Sequence, residues 1–148
     1  GYPDQTFRPN SNITRAEFAT VLVKAFQLEA KEGRVFADTA THWAKDAIAT
    51  AGAYGIIKGY SGEKFGPNDN ITREQMAVMV AKAANLTIGE QAPAFSDSAK
   101  ISDWAKAAVA AAAKAEIIKG YPDESFRPQG LATRAEAVTV IVKALEIN

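Results

Sequence analysis

Three arginines stand in one local setting: Arg15, Arg73 and Arg134 each follow a threonine and precede, by two residues, Glu17, Gln75 and Glu136. A threonine with Glu or Gln three residues on is a helix-start signature, in which the hydroxyl accepts from a first-turn amide and the longer side chain reaches back. The arginine then occupies the first helical position, where the positive end of the helix dipole disfavours a cation by about 0.3 to 1 kcal/mol. An unfavourable choice made three times needs a reason. A guanidinium beside helix amides offers a fork and further donors to a carboxylate or phosphate. The alternative is an ion pair with an acid of the chain itself, such as Asp4 or Asp123. Spacing alone leaves both open.

Other reactive groups are sparse. The single histidine, His42, precedes Trp43 near a helix start and reads as a capping or surface residue rather than a base. The stretch PNDN at 67–70 has oxygen donors but lacks the acidic spacing of a calcium loop. There is no cysteine, and no nucleophile–base pair, phosphate loop or dinucleotide fingerprint, so an enzyme is the least supported class and no cofactor or metal is expected. Lysine plus arginine equals aspartate plus glutamate at 17 each, which gives no basic field to draw the chain onto nucleic acid. No apolar run approaches the roughly 20 residues that cross a bilayer, so no membrane insertion is expected.

The elements that position the arginines are repeated. GYPDQTFRPNSNITRAEF opens the chain, and related stretches return as GYSGEKFGPNDNITREQM and GYPDESFRPQGLATRAEA. Thr14, Thr72 and Thr133 are spaced by 58 and 61 residues, whereas Trp43 to Thr72 and Trp104 to Thr133 are both 29, so the length differences fall in connections outside that block. Each full repeat reads as helix, turn, helix. The first helix is alanine-rich and thin, with Trp43, Ala47, Ala51 and Tyr54, or Trp104, Ala108, Ala112 and Ala115, near helical spacing. Such helices are expected to pack closely in pairs or on the bulkier second helix. The second helix starts at Thr-Arg and carries an apolar stripe at equal offsets: Phe18, Val21, Leu22, Ala25; Met76, Met79, Val80, Ala83; Ala137, Val140, Ile141, Ala144. Three equal stripes predict an all-α, pseudo-threefold arrangement around a central three-helix bundle.

In the turns, Gly1 and Gly120 head Gly-Tyr-Pro-Asp, with proline at the second turn position and glycine free to take positive φ. Phe7, Phe65 and Phe126 read as core plugs; Tyr2, Tyr60, Tyr121, Trp43 and Trp104 suit either packing or stacking on a sugar ring. Ahead of Gly1 there is no counterpart of the tryptophan helix, so the chain holds three second halves and two first halves. The expectation is a missing half rather than a domain that naturally begins there, which would leave one groove without a wall.

Taken together, FADTATHWAKDAI…GIIKGYSGEKFGPNDNITREQMAVMVAKAANL closely resembles the S-layer homology repeat: a Phe-x-Asp opening, a Trp-Ala helix, a Gly-Ile-Ile-x-Gly-Tyr turn and a Thr-Arg-Ala-Glu helix. Residues 95–148 resemble a second full repeat, 36–86 being the first, and 1–28 resemble the rear half of another, so that 1–148 reads as a single domain. The resemblance implies a three-pronged spindle and a non-catalytic, extracellular anchor in the bacterial cell wall or S-layer. It would bind a secondary cell wall polysaccharide, often with pyruvylated N-acetylmannosamine, in grooves between prongs. It implies that Arg15, Arg73 and Arg134 meet the acid of the ligand, and that Gly1, Tyr2, Asp4, Gly120, Tyr121 and Asp123, with Trp43 and Trp104, shape the groove walls. The middle repeat departs from the pattern at Ser61, Gly62, Gly66 and Gln75, and the third has Gly-Leu-Ala-Thr before its arginine. Unequal sites are therefore expected, the middle one weakened and the best involving Arg15 or Arg134. The other reading is a protein-interaction or structural repeat of a surface-layer or extracellular protein, with the arginines paired internally.

Overall fold

Each threonine of the Thr-Arg pairs starts a helix. In the computed structural model, which describes residues 10–59, 61, 63–87 and 95–147, Thr14, Thr72 and Thr133 cap α1 (Arg15–Ala25), α3 (Arg73–Ala83) and α5 (Arg134–Glu146). Each hydroxyl accepts from the amide three residues on, at 3.1 to 3.2 Å. Glu17 and Gln75 complete the box by accepting from the Thr14 and Thr72 amides at 2.9 and 3.0 Å. Glu136 leaves its box half made and turns to Arg73 instead. Between these helices lie α2 (Lys45–Ala53) and, after a 3₁₀ turn at Ser98–Lys100, α4 (Asp103–Lys114). No strand longer than an isolated bridge occurs among the described residues, so the all-α expectation holds.

The three capped helices start around one point. The Ile71 amide donates to the Ile13 carbonyl at 2.9 Å, that of Ala132 to Ile71 at 3.0 Å, and that of Ile13 to Ala132 at 3.3 Å, closing a ring of three bonds. The next amides are used in the opposite cyclic sense: Arg15 and Ala16 donate to Asp69 and Pro67, Arg73 and Glu74 to Gly130 and Pro128, and Arg134 to Ser11. The amides that a helix leaves open at its start are thus satisfied by the loop of another repeat. Beyond the ring, α1, α3 and α5 each touch the other two. Their expected stripes line the core, with Phe18, Leu22, Met76, Val80, Ala137, Ile141 and Ala144 buried. This arrangement fits the pseudo-threefold spindle.

The alanine-rich helices pack on the bulkier ones as their thinness led us to expect: α2 lies on α1, and α4 on α3. Of the positions at helical spacing, Ala51, Ala108 and Ala112 are buried, but the tryptophans that head them are not. Ala44, Ile48 and Ala51 are buried on α2, and Ala105, Val109 and Ala112 on α4, whereas Trp43, Tyr54 and Trp104 are exposed. A ring as wide as indole would force apart helices that small residues allow to approach closely.

The turns hang on phenylalanine and aspartate. Phe65 and Phe126 are buried plugs, packed against Phe36 and Phe95 at centroid distances of 5.6 and 5.2 Å. Phe7 lies outside the described residues. Asp38 accepts from the Phe65 and Gly66 amides, and Asp97 from those of Phe126 and Arg127. Burial opposes the ionisation of both acids, but these amides, with Lys64 and Lys100 nearby, outweigh it and hold both carboxyls below their ordinary value. Gly120 is not at positive φ. It is required because a Cβ there would come within 2.8 Å of the Phe95 ring and the Ser125 carbonyl, and Gly59 is confined likewise by Phe36. The left-handed positions fall elsewhere: Gly66 at φ 74° and its counterpart Arg127 at 58°, Glu124 at 65° in the third turn, and Gln27, Gly55, Asn85 and Glu116 just past the ends of α1 to α4. In all four endings the following apolar residue, Leu28, Ile56, Leu86 or Ile117, donates back five residues at 2.9 to 3.1 Å.

Two measurements test these local claims. Glu116→Gly relieves a left-handed, exposed residue where the equivalent position is Gly55, and should raise stability by about 1 kcal/mol in urea titration; no gain would deny the strain. Because the folded carboxyls of Asp38 and Asp97 ionise more readily than the unfolded ones, their contribution is complete above the unfolded pKa of about 3.9 and is lost as pH falls through the lower folded values. The doubly substituted Asp38→Asn, Asp97→Asn protein should show a shallower loss of stability over that acid range, and an unchanged slope would contradict this.

Candidate functional site

Each arginine reaches out of its own helix into the next repeat. Arg15 Nε donates to the Phe65 carbonyl at 3.0 Å and Nη2 to that of Lys58 at 3.3 Å, with the guanidinium 4.5 Å from the Phe65 ring centre. Arg73 repeats this on the third turn, Nε to Phe126 at 2.8 Å and Nη2 to Lys119 at 3.0 Å, over the rings of Phe126 and Tyr121. Arg73 Nη1 pairs with Glu136, and Arg134 Nη1 is 3.2 Å from Glu17 Oε2. All three arginines are buried. The internal acids are therefore the capping-box glutamates of neighbouring helices. Asp123 instead accepts from Ser125 and lies 3.6 Å from Arg127; Asp4 is outside the described residues. At the third such place stands the neutral Gln75.

The expectation that helix amides add donors beside the arginine is corrected. The amides of Arg15, Ala16, Arg73, Glu74 and Arg134 already donate to loop carbonyls, and those of Glu17, Gln75 and Glu136 to threonine hydroxyls. At Arg15 and Arg73, therefore, the first-turn amides are not open to an anion alongside.

Two clefts run beside these arginines. The first, of about 390 Å³, is bounded by Arg15, the turn at Lys58, Gln75, Lys82 and Trp104, over Met79. Its described lining holds three cations and no carboxylate. Burial, and then the charge of Lys58, push the Lys82 pKa below its ordinary value. The second cleft, of about 330 Å³, repeats the plan with Arg73, Lys119, Glu136, Val140 and Lys143, but has no tryptophan on its lining.

The expected constellation is thus divided. Trp104 joins Arg15, the turn between them coming from the middle repeat. Tyr121 serves packing, under Arg73 at 4.7 Å and Arg127 at 3.7 Å, while Gly120 and Asp123 line neither arginine cleft. Trp43 stands exposed at the head of α2, against His42 at a 5.2 Å centroid distance, on no described cleft. His42 lies just ahead of α2 without capping it: Nδ1 accepts from the amide of Ala44, the N-cap residue, at 3.0 Å, and Nε2 meets Asn68 Oδ1 at 2.8 Å. Gly1, Tyr2 and Tyr60 fall outside the described residues.

Sequence reasoning passed over the lysines. Lys58 and Lys119 share one turn position, and Lys24, Lys82 and Lys143 all follow their threonines by ten residues, a repeated offset as plain as that of the arginines. It also passed over Glu74. The middle repeat has its acid one place earlier, and Glu74 is buried, accepting from the Ser102 amide and hydroxyl at 2.9 and 2.7 Å where α4 begins. The middle repeat's departure therefore leaves Gln75 at the Arg15 cleft and places a carboxylate at the start of α4.

Among the described residues no cluster of His, Cys, Asp or Glu could hold a metal, and no helix is long and apolar enough to cross a membrane. Comparison with known proteins gives the architecture a family. The model of the S-layer homology domain matches residues 1–19, 35–77 and 94–138. The exoglucanase XynX of Acetivibrio thermocellus is 40% identical, covering 99% of this chain and 14% of that protein. A cellulosome-anchoring protein of the same species is 34% identical over 99% of the chain and 35% of its own length. A surface layer protein of Brevibacillus choshinensis is 35% identical over 92% of the chain and 12% of its length. The chain thus spans a small part of each relative, and the segments it shares with them are those that build the ring, the turns and the clefts: it belongs to the S-layer homology domain family.

Proposed function

We propose that this chain is a non-catalytic anchoring module of the bacterial cell surface that binds a secondary cell wall polysaccharide bearing pyruvylated N-acetylmannosamine, with its main site in the Arg15–Trp104 cleft. The observation that carries the reading is that cleft's lining: Arg15, Lys58 and Lys82 around one space, a neutral Gln75 where the other grooves place Glu17 or Glu136, and an exposed indole at the rim. A pyruvate ketal presents a fixed carboxylate that clustered ammonium and guanidinium groups attract, and Trp104 offers a face on which a sugar ring can stack. Relatives named as a surface layer protein and a cellulosome-anchoring protein support the location and the anchoring role. The activity in the name of the exoglucanase is not carried over, since the chain covers 14% of that protein.

The structural reading also has support. The pairs Arg73–Glu136 and Arg134–Glu17 join repeats, so these two arginines work first as braces. Isothermal titration with a pyruvylated wall disaccharide and its pyruvate-free form separates the two readings. The acidic sugar should bind better, and Lys82→Ala should weaken it about tenfold, or ~1.4 kcal/mol, with little change in Tm. Arg73→Ala should chiefly lower Tm. Equal affinity for both sugars, or a Lys82→Ala protein that binds as wild type does, would overturn the assignment.

A further inference from the structure

From its tryptophan to the end of its capped helix, the third repeat matches the middle one position for position, at a constant offset of 61 residues. The two arginine clefts can therefore be compared residue by residue. Their lysines match, Lys58 with Lys119 and Lys82 with Lys143. Their acids do not. Glu136 stands where the first cleft has Gln75. Next to the second cleft, and sharing Lys119 and Lys143 with it, is a hollow of about 260 Å³ that Glu116 and Glu146 also line. The middle repeat has Gly55 and Asn85 at the places of these two acids. The second groove thus sets Glu116, Glu136 and Glu146 against Arg73, Lys119 and Lys143, a balance of charge, where the middle repeat has neutral residues at the same three places.

Given the reading of the Arg15 cleft as the site of an acid, on which this inference rests, we propose that Glu116, Glu136 and Glu146 determine specificity. They close the second groove to an acidic sugar and leave it to an uncharged one, so that the two clefts select unlike units of a polysaccharide. Gln75 accepts from the Thr72 amide and completes the cap of its own helix, whereas Glu136 leaves its box half made and pairs with Arg73. A carboxylate already on the guanidinium holds the fork that an incoming acid would use. Glu116 and Glu146 then act beside Lys119 and Lys143, the two cations that Glu136 does not pair, and repel an anion from the same hollow. Building repulsion against the wrong ligand is a general route to discrimination. The second lining also has Thr139 in place of Val78, which supplies a hydroxyl to an uncharged sugar.

The test installs the middle repeat's residues together, Glu116→Gly, Glu136→Gln and Glu146→Asn, and follows by NMR the Met79 methyl group in the first cleft and the Val140 methyl groups in the second. In the wild-type chain a pyruvylated wall disaccharide should move Met79 and leave Val140 in place, and the pyruvate-free form should move Val140. In the triple variant Val140 should acquire a response to the acidic disaccharide, its affinity there raised about tenfold. A second measurement needs no glycan. A carboxylate-bearing nitroxide, scaled by an uncharged nitroxide of the same size, should relax Met79 more strongly than Val140. The triple variant should remove that difference, and Glu116→Gly with Glu146→Asn, which keeps the Arg73–Glu136 pair, should reduce it. A wild-type Val140 that follows the acidic disaccharide together with Met79, or that ignores the pyruvate-free one, overturns the proposal. So does a triple variant that gains no response where Met79 has one, or a nitroxide difference that is absent or untouched by the substitutions. An acidic disaccharide that moves neither methyl position contradicts instead the reading of the Arg15 cleft, and the nitroxide comparison then decides this proposal by itself.

Discussion

The closed ring of backbone bonds through Ile13, Ile71 and Ala132 is the constraint on which the rest depends. A helix start carries amides that need acceptors, and here each start takes them from a loop belonging to the next repeat around. No capped helix can therefore be completed within its own repeat. This explains why the block from tryptophan to threonine keeps one length in both full repeats while insertions fall outside it: the loop must arrive in register with the neighbouring helix, whereas the connection before the tryptophan need not.

The arginine belongs to the same interlock. Its position at the positive end of a helix is unfavourable in isolation, and the structure offsets this by extending the guanidinium away from its own helix into carbonyls of the neighbouring turn. At Arg73 and Arg134 a glutamate from another capping box adds a charge partner. The three positions thus share one scaffold and differ in a few side chains. Around Arg15 the corresponding residue is Gln75, and the acid of that repeat, Glu74, has gone to hold the start of α4. The proposed function rests on this asymmetry: a framework that is uniform in its backbone has one cleft whose described lining carries three cations and no carboxylate.

Much of this was legible in the sequence. The apolar stripes at fixed offsets specify which faces of α1, α3 and α5 meet, and the Thr-x-x-Glu pattern specifies where those helices begin. The family resemblance followed from the order of motifs and is borne out. Three things were not legible. The exposure of both tryptophans could not be read because, in a run of alanines, periodicity cannot distinguish one face from the next. The use of the helix amides depends on contacts between residues far apart in the chain, such as Arg15 with Asp69, which no local pattern encodes. The glutamates that pair with Arg73 and Arg134 were read as caps alone, although one carboxylate can serve its own helix and another's arginine: Glu17 does both.

The two tryptophans allow the central claim, that ligand acid is taken up first where the chain places an amide instead of its own carboxylate, to be tested in a single titration. Their indole N–H signals can be followed separately by two-dimensional NMR as a pyruvylated wall disaccharide is added. The account requires the Trp104 signal, at the Gln75 cleft, to move at lower ligand concentration than that of Trp43, at the head of the helix packed on α1, which carries Glu17. If Trp43 responds first, or both respond together, the cationic Arg15 cleft is not the preferred site and the account is wrong.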